Sequence, residues 1–311
     1  MRRTTVVSIA VLAFFAVGMV PASGASRSWP GRARYSVSTR TLDAARDCSA
    51  PLTGKTESEP VLLVHGTGFE REHDFEWNYW GALPDAGFEV CWIRLPRAAL
   101  GDIQIAAEYA ARAVEVMHAR TGRRIDILGH SQGGVVPRWA IKYFPSGRFV
   151  DDYVALAAPN HGTLAADLLA ASGETFEAIW QMRLTARFMQ ALNRGDETPG
   201  PISYTSIYTA NDDQVQPAST AALKGGSNIV IQDVCAGRIV THNSIVADAV
   251  AYALVLDAFT NRGAADPDRV GVAPCFTLTM PLTPVFPALV PDWRDDVISS
   301  REPPLKRYAR R

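Results

Sequence analysis

One pentapeptide constrains the fold of this chain more than any other feature of its 311 residues. Residues 129 to 133 read Gly-His-Ser-Gln-Gly, a G-x-S-x-G pattern centred on Ser131. The segment 125–128 before it, apolar except for Asp126, predicts a buried strand, and the segment 132–144 after it predicts a helix. A sharp strand-to-helix turn of this kind exposes the serine hydroxyl above a sheet, and the glycines allow close backbone approach. We therefore expect Ser131 to be a nucleophile, with an idle glycine-rich turn as the alternative.

The rest of the chain alternates between apolar strands and helices. This pattern predicts the α/β class, and with the serine turn the α/β-hydrolase fold, a mostly parallel central sheet with helices on both faces. Residues 164–194 have a helical composition without a strand, which predicts a small helical cap. Residues up to about Arg46 should lie loosely over the surface, and the proline-rich end from Ala273 should be irregular. The other expected strands are 60–65, 88–95, 153–157, 204–208 and 229–234, and the other expected helices are 105–120 and 244–259.

A nucleophilic serine needs a base to accept its proton, and in this fold the chain order is serine, acid, histidine. Four of the six histidines precede Ser131. The only acidic residues between Ser131 and His161 are Asp151 and Asp152. They begin an expected strand and so lie at the end of the sheet opposite the serine. His242 follows the last expected strand and precedes a helix. His242 is therefore the expected base.

The acid should lie on a loop after a strand, between the serine and the histidine. The segment 206–213 supplies Asp212 and Asp213. Adjacent loop residues point in different directions, so one of them can meet His242, where it would hold the imidazole tautomer and stabilise the imidazolium. The residues themselves leave the two aspartates open.

The tetrahedral intermediate of acyl transfer needs hydrogen-bond donors for its oxyanion. One expected donor is the backbone N–H of Gln132, directly after the nucleophile. The second should come from the glycine-flanked loop 65–68 after the first long strand, where Thr67 adds a hydroxyl. A plain strand-terminal turn is the alternative for this loop.

The first residues predict export. Arg2 and Arg3 precede an apolar stretch, 6–20, and the small residues 22–25 follow. This order is typical of a secretory signal peptide, here residues 1–25 with cleavage near Gly24 to Ser26, and the apolar stretch is short for a spanning helix. The mature chain, 26–311, is then expected to be a single secreted α/β-hydrolase domain. Four cysteines without a CxxC pair predict two disulfides in three possible connectivities rather than a zinc site.

The charge balance excludes some partners. The formal net charge is −1, so a clustered positive field for nucleic acid is not expected. No metal, cofactor or stable protein partner is indicated. The expected partner is a lipid or other ester substrate, with transient contact at a lipid–water interface.

Short segments spread from about Leu42 to Arg310 form a recognisable set. They are Leu63–Gly68, Cys91–Ile93, Ser131–Gly134, Ala158–Pro159, Gly162–Thr163, Trp180–Gln181, Tyr208–Asp212, Val215–Pro217 and Val234–Cys235 ahead of His242. Together they resemble lipases of the Candida antarctica lipase B type. The resemblance implies a triacylglycerol lipase or esterase that needs no metal or organic cofactor.

The resemblance also implies roles for particular residues. Asp212, rather than Asp213, falls on the family's triad aspartate, and Ser131 and His242 fall on the other two members. Thr67 and Gln132 fall on the oxyanion residues. The implied disulfides are Cys48–Cys91 and Cys235–Cys275.

The substrate pocket is where this chain departs from the family. We place the pocket at His130, Asn160, Gln214 and Val215. His130 replaces a tryptophan, and we expect the loss of that ring to change the alcohol side of the pocket. Asn160 stands where the family has an aspartate, and Gln214 where it has an isoleucine. The apolar helix that flanks the family's site entrance is expected to be shortened, from Pro281 to Val290.

The predicted function is ester hydrolysis through an acyl-enzyme. The nearest alternatives are a polyester or cutin-type depolymerase and an acyltransferase, which substrate profiling would separate. A catalytically silent hydrolase-fold binding protein is the alternative from another class, and it would fail to react with a fluorophosphonate.

Overall fold

A central sheet organises the computed structural model of this protein, which describes residues 29 to 283 and 297 to 310. The strands are β1 (Arg46–Cys48), β2 (Val61–Val64), β3 (Val90–Ile93), β4 (Ile125–His130), β5 (Val150–Leu156), β6 (Thr175–Phe176), β7 (Ser203–Tyr208), β8 (Ser227–Val230) and β9 (Ile298–Ser299). The helices are α1 (Thr39–Ala44), α2 (Arg71–Asp74), α3 (Tyr79–Asp85), α4 (Ile103–Thr121), α5 (Gln132–Tyr143), α6 (Leu164–Ala170), α7 (Glu177–Gln181), α8 (Arg187–Leu192), α9 (Ile231–Val234), α10 (Ala249–Thr260) and α11 (Pro267–Val270).

The sheet has the strand order β1-β3-β2-β4-β5-β7-β8. Strand β1 runs antiparallel to β3, and the other neighbours pair in parallel. Every residue of β2, β3 and β4 is buried, as expected where helices cover both faces of a parallel sheet. The predicted α/β fold with a mostly parallel sheet is confirmed.

Two hydrophobic clusters cover the two faces of the sheet. Successive residues of a strand point to opposite faces. Leu62 and Val64 of β2 accordingly join the cluster that packs against α4 and α5, whereas Val61 and Leu63 join the cluster with α3 and α10. Because β4 and α5 are held in these layers, the turn between them is fixed at the carboxyl edge of the sheet.

The predicted cap region holds three short helices, α6, α7 and α8. The expectation that it contains no strand is wrong, because β6 pairs antiparallel with β9 from the end of the chain. The C-terminal segment therefore fastens the cap, and the segment is less irregular than its prolines indicate. It also has single 3-10 turns at Ala273–Phe276 and Arg307–Ala309.

The segment before Arg46 is not loose, which corrects a further expectation. Leu42 of α1 is buried. The indole of Trp29 donates to the carbonyl oxygen of Ile141 at 3.0 Å, and Ser36 donates to the Glu108 carboxylate. These contacts hold the segment against α4 and α5. The sequence did not indicate them, because the segment is rich in small and basic residues.

Several element boundaries also differ from expectation, and two of them flank the loop that carries His242. The strand expected over 229–234 ends at Val230, where α9 begins. The helix expected over 244–259 breaks at Asp248, whose carboxylate accepts the N–H groups of Val250 and Ala251 as the N-cap of α10. The apolar sequence on both sides of Asp248 concealed this start.

The disulfides are Cys48–Cys91 and Cys235–Cys275, in agreement with the pairing that the resemblance implies. No helix among the described residues is long and apolar enough to cross a bilayer. The predicted signal peptide, and residues 284–290 of the expected apolar helix, lie outside the described residues.

Candidate active site

The turn between β4 and α5 holds Ser131 in an unusual backbone conformation, with φ 54° and ψ −127°. A positive φ is strained for a residue other than glycine, and such strain is concentrated at functional sites. The flanking glycines explain how the turn closes. A Cβ on Gly129 would overlap the carbonyl of Gly133, and a Cβ on Gly133 would overlap the carbonyl of Val64. The sequence motif is therefore required by the packing of this turn.

Three predicted residues from three segments of the chain meet at this turn. Nε2 of His242 lies 2.9 Å from Oγ of Ser131. On the other side of the ring, Nδ1 lies 3.0 Å and 3.1 Å from the two carboxylate oxygens of Asp212. His242 and Asp212 are each 2% exposed, whereas Ser131 is partly open to solvent. This arrangement can pass the serine proton to a histidine that a buried carboxylate orients.

The two adjacent aspartates have different tasks. Oδ1 of Asp212 accepts the backbone N–H groups of Gln214 and Val215, which aims its carboxylate at the histidine ring. Asp213 accepts the backbone N–H of His242 at 3.1 Å. Burial by itself raises the pKa of Asp212, but the hydrogen bonds from His242 and the two backbone N–H groups hold it below its ordinary value. Asp212 therefore stays ionised beside the histidine.

Thr67 lines the same cavity as Ser131 and His242. Its hydroxyl donates to Oε1 of the Gln132 side chain at 2.5 Å. Gln132, whose backbone N–H is the other expected oxyanion donor, is the first residue of α5. The N–H of Gly68 donates to the carbonyl of Ala98 at 2.7 Å. Ala98 is the middle of three consecutive residues with positive φ (57°, 51° and 62°), a strained turn that the sequence did not reveal.

A cavity of about 260 Å³ opens onto Ser131 and His242. Most of its wall is apolar, which suits a hydrocarbon chain better than a charged group. Gln214 and Val215, both predicted pocket residues, line it. The cap contributes a further set of lining residues that sequence reasoning missed: Ala165, Ala166, Leu169, Ile179 and Met182.

His130 and Asn160 do not line this cavity, which corrects their placement in the pocket. Both side chains are fully buried. Asn160 donates to the carbonyl of Ala221 at 2.6 Å, and its own carbonyl accepts from Arg138 of α5 and from Asn193, directly after α8. His130 points away from the substrate, toward Asp74, with Nδ1 2.8 Å from Oδ1. His130, which directly precedes the nucleophile, therefore binds the buried Asp74 carboxylate and does not contact the substrate cavity.

One group of carboxylates among the described residues has the spacing of a metal site: Asp126, Asp151 and Asp152. It lies where β4 and β5 begin, at the sheet edge opposite Ser131. Arg124 already neutralises Asp151, at 2.9 Å. Burial raises the pKa of Asp152 to about 7, so this carboxyl is partly protonated near neutrality. These three carboxylates therefore take no part in the site around Ser131.

Comparisons with known proteins agree with this geometry. A family model described as Lipase (class 2) matches residues 108–254. Lipase B of Pseudozyma antarctica is 29% identical over 251 residues, which cover 78% of this chain and 73% of that protein. A triacylglycerol lipase of Pseudomonas fragi is 28% identical over 150 residues, covering 45% of this chain and 50% of that protein.

The fold comparison covers more of the chain. The crystal structure of Aspergillus fumigatus lipase B matches with a TM-score of 0.81 and 31% sequence identity, over 90% of this chain and 73% of that one. An identity of this size over most of both chains exceeds what a shared fold alone explains. The chain therefore belongs to the lipase B family of α/β-hydrolases, and it is a carboxylic ester hydrolase.

Proposed function

We propose that this protein is a secreted triacylglycerol lipase or carboxylesterase that works through an acyl-enzyme on Ser131. The observation that carries the proposal is the chain of contacts from Ser131 Oγ to His242 Nε2 at 2.9 Å, and from His242 Nδ1 to Asp212 Oδ2 at 3.0 Å. Such a chain activates a hydroxyl that is otherwise a weak nucleophile.

In the first half of the reaction, Oγ of Ser131 attacks the ester carbonyl carbon, and Nε2 of His242 accepts the hydroxyl proton. The carbonyl oxygen becomes an oxyanion, which the backbone N–H of Gln132 stabilises together with the hydroxyl of Thr67, whose hydrogen turns from Oε1 of Gln132 to the oxyanion. The intermediate collapses, the ester C–O bond breaks, and the imidazolium protonates the departing alcohol. Asp212 stabilises the imidazolium throughout without taking its proton.

In the second half, water takes the place of the alcohol. His242 removes a proton from the water, whose oxygen attacks the acyl carbon of the Ser131 ester. Breaking the acyl–serine bond releases the carboxylic acid, and His242 returns the proton to Oγ. Each half-reaction leaves the histidine neutral, so the cycle needs no outside acid or base.

The cavity walls favour an apolar acyl chain. Three exposed leucines of the cap, Leu164, Leu168 and Leu169, lie on α6, and Leu169 also lines the cavity. Exposed apolar residues at a site entrance suit contact with a lipid surface. We therefore propose lipid esters as substrates, met at a lipid–water interface.

Hydrolysis of p-nitrophenyl esters from acetate to palmitate tests the proposal. We expect the wild type to hydrolyse several of these esters and Ser131→Ala to lose the activity while keeping its circular dichroism spectrum and Tm. Ser49→Ala, a substitution at the start of the sheet away from the cavity, is the matched control. A folded wild type without esterase activity, or an active Ser131→Ala, would contradict the mechanism.

Secretion belongs to the same proposal. The described cysteines all form disulfides, which persist in oxidising compartments. We propose that residues 1–25 are removed on export and that residues 26–311 form a single domain. Expression with the native leader, followed by N-terminal sequencing of the extracellular protein, should give a start near residues 25 to 27. Recovery of the uncleaved chain in the membrane fraction would contradict the assignment.

A further inference from the structure

A second acid–histidine pair lies beside the site, formed by Asp74 and His130. Nδ1 of His130 lies 2.8 Å from Oδ1 of Asp74, and both side chains are buried. Neither residue lines the substrate cavity, so neither can exchange a proton with a substrate directly. The pair is separated by 56 positions in the chain, one residue at the end of α2 and the other at the end of β4.

The pair joins two loops that the proposed mechanism uses. Oδ2 of Asp74 accepts the backbone N–H of Gly66 at 2.7 Å, directly before Thr67. Nε2 of His130 lies 3.0 Å from the backbone carbonyl of His242. A continuous set of buried hydrogen bonds therefore runs from the oxyanion loop, through the residue before the nucleophile, to the backbone of the base.

The partners of the His130 ring fix how many protons it holds. A carbonyl oxygen can only accept, so Nε2 must carry a hydrogen for the His242 contact. The other nitrogen faces a carboxylate oxygen, and a hydrogen bond there needs one more proton, which a neutral histidine beside an ionised aspartate lacks. The two contacts together require one proton between Nδ1 of His130 and Oδ1 of Asp74, and an imidazolium–carboxylate pair places that proton on the ring.

The electrostatic surroundings agree with this count. Burial by itself lowers the pKa of His130, but the charge and hydrogen bond of Asp74 raise it above its ordinary value. Burial likewise raises the pKa of Asp74, and His130 and the Gly66 N–H bring it below its ordinary value. The other titratable groups that face the pair are His65, Asp212 and His242.

His65 shows the opposite arrangement at the same edge of the sheet. One of its nitrogens faces the carbonyl of Gly66 at 2.9 Å, and the other accepts the N–H of Leu95 at 3.0 Å. One donor and one acceptor suit the neutral ring, and burial lowers the pKa of His65. Two equally buried histidines are thus given different charges by their partners.

We propose that Asp74 and His130 are positioning residues, which hold a trapped proton between them and so keep the oxyanion loop and the His242 loop in register with Ser131. This inference rests on the proposed function of that site. Neither residue touches the substrate, so the pair acts on the rate through the placement of other groups. A misplacement of about 1 Å in such groups can cost about 100-fold in rate.

Substitutions at Asp74 separate a positioning role from a general structural one. Asp74→Ala removes both contacts, and we expect kcat to fall by about 100-fold with KM changed by less than about threefold. Asp74→Asn can still accept from Gly66 with Oδ1 and can donate with Nδ2 to a neutral His130. We therefore expect this conservative variant to recover kcat to within about tenfold of wild type. An Asp74→Ala variant with wild-type kcat would overturn the proposal.

The trapped proton has its own spectroscopic test, which does not depend on activity. With ¹⁵N-labelled histidine at pH 7.5, both ring nitrogens of His130 should give protonated shifts in the wild type, and one of them should become unprotonated in Asp74→Asn. His130→Asn assigns the signals. A wild-type His130 with one unprotonated nitrogen would overturn the inference. A wild type that is not labelled by a fluorophosphonate would instead contradict the proposed function, and the spectrum would still decide the charge of the pair.

Discussion

Arg238 and Asp248 form an ion pair across the loop that carries His242. Nε of Arg238 lies 2.6 Å from Oδ2 of Asp248, and their side chains are only 7% and 5% exposed. Arg238 also donates to the carbonyl oxygens of Thr277 and Leu278. The pair therefore fastens the base-carrying loop both to the start of α10 and to the segment that follows the second disulfide.

Breaking this pair should destabilise the fold. Arg238→Ala leaves the buried Asp248 carboxylate without its cation, and we expect the free energy of unfolding to fall by about 3 to 5 kcal/mol. The control is Arg187→Ala, which removes an ion pair with Glu302 whose arginine is 64% exposed, and should cost less than about 1 kcal/mol. Urea denaturation measures both values. Equal small losses would show that the Arg238 pair does not hold the loop.

The two neighbouring aspartates should differ sharply in their effect on rate. Asp212→Asn removes the carboxylate that orients the His242 ring, and we expect kcat to fall by about 10⁴-fold. Asp213→Asn keeps an oxygen that can accept the His242 backbone N–H, and should cost less than about tenfold. Steady-state kinetics on one p-nitrophenyl ester compares the two. A larger loss in Asp213→Asn would reverse their assignment.

Asp152 should make stability depend on pH. Its pKa in the folded protein is about 7, against an ordinary value of 3.8, because the carboxyl is buried. Between these values the folded state binds more protons than the unfolded state, so the contribution of Asp152 to the free energy of unfolding falls as pH rises. Asp152→Asn removes this contribution. We expect the variant to gain stability relative to wild type from about pH 4 to pH 7, measured by denaturation at each pH. A difference between the two proteins that does not change with pH would contradict the account.

The cavity predicts a preference that one substitution in the cap can change. Ala165 lies on α6, is partly exposed and lines the cavity, so Ala165→Phe should fill part of its volume of about 260 Å³. We expect kcat/KM to fall more for the octanoate and palmitate esters than for the acetate ester. Ala171→Phe, at the exposed end of the same helix, is the control. An equal loss on all esters would mean that the acyl chain does not occupy this cavity.

The sequence predicts the site best where a residue belongs to a short local motif or to a fixed order of residues along the chain. The motif around Ser131 predicted the strained turn, since its glycines are needed wherever that turn packs. The order of residues predicted His242, which the structure brings to Ser131. Their catalytic roles stay predictions. The α/β fold, predicted from alternating strands and helices, is confirmed.

The rest depended on contacts that no local pattern shows. The residues alone could not separate Asp212 from Asp213, because the direction of each carboxylate is set by the loop's own backbone N–H groups. The pocket placement of His130 was wrong because its partner, Asp74, is distant in the chain. The cap's contribution to the cavity was missed because the sequence of a short helix does not show which part of the fold it covers.

Covalent labelling tests the central claim most directly. The mature protein would be incubated with a fluorophosphonate, digested and analysed by mass spectrometry. The proposed mechanism predicts one label per chain on the peptide that contains Ser131, and slower labelling in Asp212→Asn. No labelling of the folded wild type, or a label on another serine, would contradict the claim that Ser131 is the nucleophile.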